Sequence, residues 1–330
     1  MTIKDVASLA GVSPAAVSRY LNGGSLSEEK RQRIQETIEQ TGYRPTVAAQ
    51  MMRTGHQRQI GVLIPKIYSD AVVQVTEGIT QYIQKYGYMS VLGVTHADEQ
   101  KELEYLSIME ANRAAGIIVM GTGVTPRRIE AYKACGIPVV IAGQNISGIP
   151  CVYHDDFHAA QELTRRIIER GRKKLAYISV TDHDPQAGKE RKRGVLSAYT
   201  EAGFAEKELL TAVADFSAES GYAAMQKLLE RDTTMDAVLC ATDAIAFGAM
   251  RALHEAGLEP GSDVSIAGIG DSWIDEYAMT PLTTARLFFK QSGEDAANML
   301  LSTIDTIEKG EAVAARQICL DYEIIERGSI

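Results

Sequence analysis

The first 22 residues constrain the fold of this chain most, because they contain two short amphipathic patterns separated by a glycine. Apolar side chains recur at helical spacing over residues 3–10 and again over 16–21, on either side of Gly11. Ser13 is a favourable N-cap for the second helix, and Pro14 is tolerated in a first turn, where its missing N–H would have had no partner. Helix, glycine turn and capped helix predict a helix-turn-helix, whose second helix enters the DNA major groove.

A third amphipathic pattern begins at Ser27 and contains Ile34 and Ile38, and it would close a small three-helix core. Gly42 favours the end of this helix, and Pro45 blocks its continuation. Spacing of the first two patterns alone is also compatible with any small helical hairpin. The third helix favours the DNA-binding module over that alternative.

Charge is distributed unevenly along the 330-residue chain, whose formal net charge is −9. The first 58 residues carry eight Lys and Arg against five Asp and Glu, a net charge of +3. The remaining residues carry 26 Lys and Arg against 38 Asp and Glu, a net charge of −12. A basic end on an acidic body directs that end toward phosphate and keeps the rest away from it.

Ordered motifs in this end resemble the headpiece of the LacI/GalR family of bacterial transcription regulators: Thr2-Ile3-Lys4-Asp5-Val6-Ala7, Ala10-Gly11-Val12-Ser13, Val17-Ser18-Arg19, Leu21-Asn22 and Gly42-Tyr43-Arg44-Pro45. The resemblance implies a homodimer on a near-palindromic double-stranded DNA operator, with residues 13–22 in the major groove. It assigns DNA contacts to Thr2, Ser13, Pro14, Ala15, Ser18, Arg19, Asn22, Gln50 and Met52.

Three kinds of contact are expected along the second helix. Arg19 is the hydrogen-bonding reader, with guanine as its natural partner. Pro14 and Ala15 cannot donate to a base but can touch a thymine methyl. Ser18 and Asn22 are expected on phosphates, which set register rather than sequence.

Residues 45–58 form the expected hinge between the headpiece and the body. Its apolar residues could form a helix that is too short to be stable alone in water but can fold on DNA against a partner chain. In the family such a hinge helix wedges an apolar side chain into the minor groove, within a pattern Ala-Arg-x-Leu. Here Gln50 replaces the Arg and Met52 takes the wedge position. A plain flexible tether is the alternative.

Beyond residue 59, short apolar runs alternate with amphipathic helical patterns. The strand-like runs are 60–65, 90–95, 116–120, 138–142, 175–180, 237–241 and 264–269. The helical patterns lie near 71–86, 99–112, 126–135, 157–170, 190–203, 218–231 and 243–257. This alternation predicts parallel sheets with helices on both faces. The fold class is therefore an all-α helix-turn-helix headpiece plus an α/β body, and the resemblance implies a periplasmic-binding-protein-like body with two doubly wound parallel-sheet subdomains.

The expected domains are a headpiece (1–44), a hinge (45–58) and an effector-binding and dimerisation domain (59–330). Within the last, the first lobe is expected to contain 59–156 and 288–313, and the second lobe 157–287 and 314–330. Return crossings between the lobes are expected near 285–287 and 312–316.

A ligand of such a body would lie between the lobes, at the carboxyl ends of the strands. Amide, carboxylate, guanidinium and aromatic groups follow the strands there, and they suit a carbohydrate, because each sugar hydroxyl both donates and accepts. The expected effector contacts are Lys66, Tyr68, Asp70, Gln144, Arg191, Thr242, Asp243, Asp271 and Trp273.

The resemblance makes Arg191 the strongest of these candidates. Arg191 and Gly194 match an Arg-x-x-Gly motif whose arginine contacts the effector in many members. Thr242 stands where the family usually has Asn, and Gly270 stands where it usually has Asp. The usual hydroxyl contacts at these two positions are therefore altered.

Lys66 is a further departure, since an acidic residue commonly follows the same proline in the family. A cation facing the cleft would suit a sugar phosphate or another acidic ligand, and a solvated surface lysine is the equal alternative. Residues 188–191 and 239–243 resemble the trehalose- and sucrose-type repressors of the family. That resemblance implies a disaccharide or its phosphate as effector.

No catalytic residue, metal site or cofactor is expected. The glycines at 121–123 and 268–270 lack the P-loop and dinucleotide patterns, the six histidines show no metal-ligand spacing, and no nucleophile set can be assembled. Four scattered cysteines are expected as buried free thiols. No apolar run is long enough to span a membrane and no signal-peptide pattern is present, so we expect a cytoplasmic protein.

These observations predict a DNA-binding repressor of a carbohydrate-utilisation operon, relieved when a sugar or sugar phosphate binds between the lobes. A sugar-binding transport protein would need an export signal and no DNA-binding head. An α/β enzyme would need a cofactor fingerprint or a nucleophile set. Residues 321–330 lack the leucine heptads that form tetramers in some family members, which favours a homodimer.

Overall fold

A computed structural model describes residues 1–21, 24–43 and 57–330, which divide into two compact units, Met1–Gln57 and Arg58–Ile330. The described part of the first unit contains the helices α1 (Ile3–Ala10), α2 (Pro14–Leu21) and α3 (Glu28–Thr41). Val6, Val17 and Ile34, one from each helix, are fully buried against one another. The predicted helix-turn-helix and its third helix are confirmed.

Short-range hydrogen bonds position the first two helices of this headpiece. Thr2 Oγ1 accepts from the Asp5 N–H at 3.4 Å and the Asp5 carboxylate accepts from the Thr2 N–H at 2.7 Å, so the two residues form a capping box. Gly11 ends α1 in the left-handed conformation, with φ of 61°. At the start of α2, Ser13 Oγ accepts from the Ala16 N–H at 3.2 Å. Gly11 and the Ser13 cap therefore form the turn between α1 and α2, as the sequence predicts.

The second unit consists of two lobes, each built on a six-stranded sheet. Up to the first passage between the lobes, its elements are β1 (Gln57–Ile64), α4 (Asp70–Gln84), β2 (Met89–Val94), α5 (Glu99–Ala111), β3 (Ala114–Met120), α6 (Pro126–Ala134), β4 (Val139–Ala142) and β5 (Cys151–His154). The rest are α7 (Asp156–Glu169), β6 (Leu175–Ser179), α8 (Arg191–Glu201), β7 (Leu210–Val213), α9 (Ala218–Arg231), β8 (Ala237–Cys240), α10 (Asp243–Glu255), β9 (Ser265–Gly270), β10 (Thr283–Leu287), α11 (Phe289–Glu308), β11 (Gln317–Leu320) and β12 (Tyr322–Ile325).

The sheets have the strand orders β11-β5-β4-β3-β1-β2 and β12-β10-β9-β8-β6-β7. The pairs β1–β2, β3–β4, β4–β5, β5–β11, β6–β7, β6–β8, β8–β9 and β9–β10 are parallel, whereas β10–β12 is antiparallel. The central strands β4, β6, β8 and β9 are buried along their whole length, because helices cover both faces of each sheet. The predicted fold class is confirmed. No helix among the described residues is long and apolar enough to cross a membrane.

The chain passes between the two lobes three times. It leaves the first lobe after His154, returns after Leu287 and leaves again at Asp321, between β11 and β12. The expectation that the second lobe begins again at residue 314, after a crossing at 312–316, is wrong. Gln317–Leu320 pairs in parallel with Cys151–His154 and is therefore the edge strand of the first sheet.

Five strands are absent from the predicted strand-like runs: β5, β7, β10, β11 and β12. The crossing expected at 285–287 lies within β10, and the chain returns to the first lobe only after it. Three of them, β7, β11 and β12, lie at sheet edges and contain only partly buried and exposed residues, without the continuous apolar run of a central strand. These three and β5 are only four residues long each, so they carry too few apolar positions to stand out from loops.

Glycines let neighbouring helices pack at very short distances in both lobes. A Cβ added to Gly248 of α10 would overlap the Ala218 carbonyl oxygen of α9 and lie 2.6 Å from the Tyr222 nitrogen. A Cβ added to Gly293 of α11 would likewise overlap the carbonyl oxygen of Val75 in α4. Backbone therefore contacts backbone at these helix crossings.

The four cysteines are free, as the sequence predicts, but they are not all buried. Cys151 and Cys240 are buried, Cys135 is half-buried and Cys319 is exposed. The prediction of buried thiols is therefore wrong for Cys319, which lies on the edge strand β11.

Candidate functional site

The exposed face of α2 contains most of the predicted DNA contacts that the structure describes. Pro14, Ala15 and Arg19 are exposed and Ser18 is partly exposed, whereas Ala16 and Val17 on the opposite face are buried. Within the described residues, no acid forms an ion pair with Arg19. Its guanidinium is therefore available to a base edge or a phosphate.

Two of the predicted DNA contacts cap helices, and three others lie outside the described residues. Thr2 and Ser13 are the capping residues described above, and their hydroxyl groups accept backbone N–H groups. Asn22, Gln50 and Met52, together with most of the predicted hinge, lie outside the described residues.

In the second unit, two predicted pocket residues of the first lobe form hydrogen bonds with the second lobe. Lys66 follows β1, and its Nζ donates to the Phe216 carbonyl oxygen at 2.9 Å. Gln144 follows β4, and its Nε2 donates to Asp184 Oδ1 at 2.9 Å. The two lobes therefore meet directly through polar side chains at the carboxyl ends of their strands.

The Lys66 ammonium lies between aromatic rings, 5.3 Å from the ring centroid of Tyr68 and 5.5 Å from that of Phe216. Burial lowers the pKa of Lys66, and the nearby Asp215 carboxylate partly opposes this shift. These contacts show that Lys66 is not a solvated surface lysine. Tyr68 itself remains largely exposed, at 83%.

Gln144 is almost completely buried, and its amide is only half satisfied. Nε2 also donates to the Gly121 carbonyl oxygen at 3.2 Å, but no donor in the described part of the chain reaches Oε1. A buried amide oxygen without a donor is costly, and a ligand hydroxyl would satisfy it.

Arg191 begins α8 and is buried beside the passage from β5 to α7. Its Nε donates to Asp156 Oδ1 at 2.7 Å, and its Nη1 donates to the Ala241 carbonyl oxygen at the end of β8. None of the hydrogen bonds among the described residues uses Nη2. Arg191 is thus fixed in orientation, and its Nη2 stays available to a ligand.

Thr242 and Asp243 start α10 at the carboxyl end of β8, and both are held by protein contacts. Thr242 Oγ1 accepts from the Ile245 N–H at 3.3 Å as the helix cap. The buried Asp243 carboxylate accepts from Thr284 Oγ1 at 2.6 Å and from the Ser272 N–H at 3.1 Å. Burial raises the pKa of Asp243 to about 6.

Gly270 makes room for this carboxylate. A Cβ at Gly270 would lie 2.5 Å from Asp243 Oδ2. Gly270 thus permits the close approach of the Asp243 side chain to β9.

The other predicted effector contacts do not join the two lobes. Asp271 forms ion pairs with Arg286 at 2.6 Å and Arg327 at 2.7 Å, so guanidinium groups occupy both of its oxygens. Asp70 accepts from Gln74 Nε2 at 2.7 Å in the first turn of α4. Trp273 is 70% exposed and lies near Tyr277.

Neither Phe216 nor Asp184 is among the effector contacts expected from the sequence. Phe216 follows β7, the edge strand that no apolar run revealed. Asp184 lies in the polar segment after β6 and also caps the π-helical turn Pro185–Glu190 by accepting from the Gln186 and Ala187 N–H groups. Proximity to the predicted strand end was the available signal for Asp184.

Two family models match the chain and together cover both units. Residues 2–46 match "Bacterial regulatory proteins, lacI family", and residues 57–324 match "Periplasmic binding proteins and sugar binding domain of LacI family". Catabolite control protein A of Priestia megaterium is 31% identical over 287 residues, 86% of each chain. The sucrose operon repressor of Staphylococcus xylosus is 28% identical over 324 residues, covering 97% of this chain and 98% of that protein.

Solved structures share the fold over the whole chain. The Lac repressor dimer bound to operator and the anti-inducer ONPF has a TM-score of 0.87 at 23% identity, covering 100% of this chain and 98% of the other. A complex of the transcriptional regulator CelR with cellobiose has a TM-score of 0.76 at 24% identity, covering 100% and 99%. With both family models matched in order, the chain belongs to the LacI family of bacterial regulatory proteins and is a transcription regulator rather than an enzyme.

Proposed function

We propose that the chain is a cytoplasmic repressor of a carbohydrate-utilisation operon, which binds a near-palindromic operator as a homodimer and releases it when a carbohydrate binds between the lobes. The observation that carries the effector site is the pair of interlobe hydrogen bonds made by Lys66 and Gln144, both predicted pocket residues. A ligand that replaces these bonds changes how the lobes are held. A sugar-binding protein without a regulatory role is disfavoured, because the chain has a DNA-binding headpiece.

The site chemistry favours a polyhydroxylated ligand. Gln144 Oε1 is buried without a donor, Arg191 Nη2 has no hydrogen bond among the described residues, and the rings of Tyr68 and Phe216 lie beside Lys66. A sugar hydroxyl can donate to the amide oxygen and accept from the guanidinium. The sucrose operon repressor among the relatives and cellobiose in the CelR complex support a disaccharide.

Effector binding acts in this proposal by shifting populations. A ligand that prefers one arrangement of the lobes stabilises that arrangement, and the resulting change in the dimer disfavours the DNA-binding state. The effector is best identified by a thermal-shift screen of disaccharides and their phosphates, because a ligand that prefers the folded state raises the melting temperature.

Arg19→Ala is expected to weaken operator binding by about 10- to 100-fold, since a specific arginine–guanine pair contributes about 1–3 kcal/mol. Fluorescence anisotropy with a duplex operator at fixed salt measures the loss. Arg127→Ala is the matched control, because it removes one exposed positive charge from the second unit. Unchanged operator affinity of Arg19→Ala, or loss of its thermal shift with sugars, would contradict the assigned roles.

Lys66→Met tests whether the effector carries a phosphate. The substitution keeps the length of the apolar stem but removes the ammonium, so affinity for a disaccharide phosphate is expected to fall about tenfold more than affinity for the matching neutral disaccharide. Isothermal titration with both ligands measures the difference. Lys85→Met is the control, since Lys85 Nζ also lies over a ring, that of Tyr82 at 5.6 Å, but on an exposed helix end. Equal losses of affinity for both ligands would show that Lys66 joins the lobes but does not bind a phosphate.

A further inference from the structure

Asp275 is a buried acid without a hydrogen-bond donor. It lies in the segment 271–282 between β9 and β10, and its side chain is completely buried. No donor in the described part of the chain reaches either of its carboxyl oxygens. The nearest cation is Arg327, whose Nη1 is 4.0 Å from Oδ2, too far for a hydrogen bond.

A second carboxyl, that of Asp243, lies next to this segment: its Oδ2 accepts from the Ser272 N–H at 3.1 Å, and the Asp275 N–H donates to the Ser272 carbonyl oxygen at 3.0 Å. Besides burial, the Asp243 charge raises the pKa of Asp275. Two ionised carboxylates are both acceptors, so a bond between them requires one proton. Both oxygens of Asp243 already accept from protein donors, Thr284 Oγ1 and the Ser272 N–H. Since these donors stabilise the charged form of Asp243, the proton belongs on Asp275.

We propose that Asp275 is a neutral, protonated acid that donates a hydrogen bond to the Asp243 carboxylate and thereby positions it. The bond ties the segment 271–282 to the first turn of α10, where Thr242 and Asp243 lie at the carboxyl end of β8. Asp275 is thus a positioning residue that acts through Asp243. This inference rests on the proposed function only for the position of Asp243 beside the effector.

The charged groups around the pair are consistent with one shared proton. Asp271 adds a further negative charge near both acids, but it is itself paired with Arg286 and Arg327. The Arg191 charge lowers the pKa of Asp243 and so partly opposes the effect of burial. Burial and the Asp243 charge raise the pKa of Asp275 to about 9, whereas that of Asp243 rises to about 6.

These shifts fix the sign of the pH dependence. The pKa of Asp275 is raised from an ordinary value of 3.8 to about 9 in the folded chain. Between these two pH values the folded state therefore holds a proton that the unfolded state has released. Stability from this group is therefore greatest below the ordinary value and decreases as pH rises toward 9. Asp243 is ionised in the upper part of this range.

Asp275→Asn supplies an N–H donor that does not titrate, and it provides the test in the full-length protein. We expect the ratio of unfolding constants, wild type over variant, to rise about tenfold per pH unit between about pH 7 and 8.5, because one proton is released on unfolding. Urea unfolding at each pH measures it. Glu276→Gln is the control, since Glu276 is the exposed neighbouring acid, and its ratio should stay flat.

An infrared spectrum of the wild-type protein at neutral pH gives a second measurement, independent of any variant's folding. The proposal expects the carboxylic-acid C=O band of a protonated side chain, and expects it to be absent from Asp275→Asn. A flat ratio of unfolding constants, or no such band in the wild type, would overturn the proposal. Neither experiment uses an effector, so failure here is distinct from failure of the proposed function.

Discussion

Replacing Arg191 with methionine is expected to destabilise the second unit by about 3–5 kcal/mol, because it leaves a buried charge without its partner. Arg191 is 6% exposed and Asp156 is 3% exposed, so water cannot take the place of the lost ion pair. The Ala241 carbonyl oxygen at the end of β8 would also lose its donor. Urea unfolding, with the headpiece and body transitions followed separately, measures the effect.

Exposed arginines provide the comparison for this variant. Arg165 pairs with Glu201 at 2.8 Å, but both side chains are about half exposed, so Arg165→Met should change stability by less than about 1 kcal/mol. The double variant Arg191→Met, Asp156→Leu should recover part of the loss, since it removes the unpaired acid as well. Equal, small effects of the buried and exposed substitutions would show that the buried Arg191–Asp156 pair stabilises the fold no more than an exposed pair does.

Gly248→Ala is expected to cost about 3 kcal/mol, although alanine is the better helix former. The added Cβ would overlap the Ala218 carbonyl oxygen, which is backbone and cannot move without separating α9 from α10. This steric loss outweighs the helix-propensity gain of about 1 kcal/mol that alanine brings.

The matched control for this prediction lies one turn earlier on the same helix. Ala244 is exposed on α10, so Ala244→Gly should lose only the propensity difference of about 1 kcal/mol. Thermal or urea unfolding compares the two variants directly. A more stable Gly248→Ala protein would mean that α9 and α10 can separate at little cost, against the packing described here.

The sequence predicted elements with strong periodicity and missed those without it. Buried runs such as Val139–Ala142 and Ala237–Cys240 were recognisable because parallel strands covered on both faces are continuously apolar. Gln317–Leu320 alternates at a sheet edge, and its partner, β5, lies far away in the sequence. No local pattern could therefore assign it to the first lobe.

The candidate site shows the same limit. Position after a strand end identified Lys66 and Gln144, and a short motif identified Arg191. The Lys66 contact with Phe216 joins residues 150 positions apart, and the segment after β9 folds back onto α10, where the Ser272 N–H donates to Asp243. Such contacts depend on the tertiary fold, so residue type and spacing cannot disclose them.

The three passages of the chain between the lobes have a consequence for biosynthesis. The first lobe requires α11 and β11, which leave the ribosome only after nearly all of the second lobe has been made. Its sheet therefore lacks an edge strand, and α4 lacks its packing partner, until translation is almost finished. Nascent chains that stall before residue 289 should expose the apolar side of α4, which makes them natural clients for chaperones that act during synthesis.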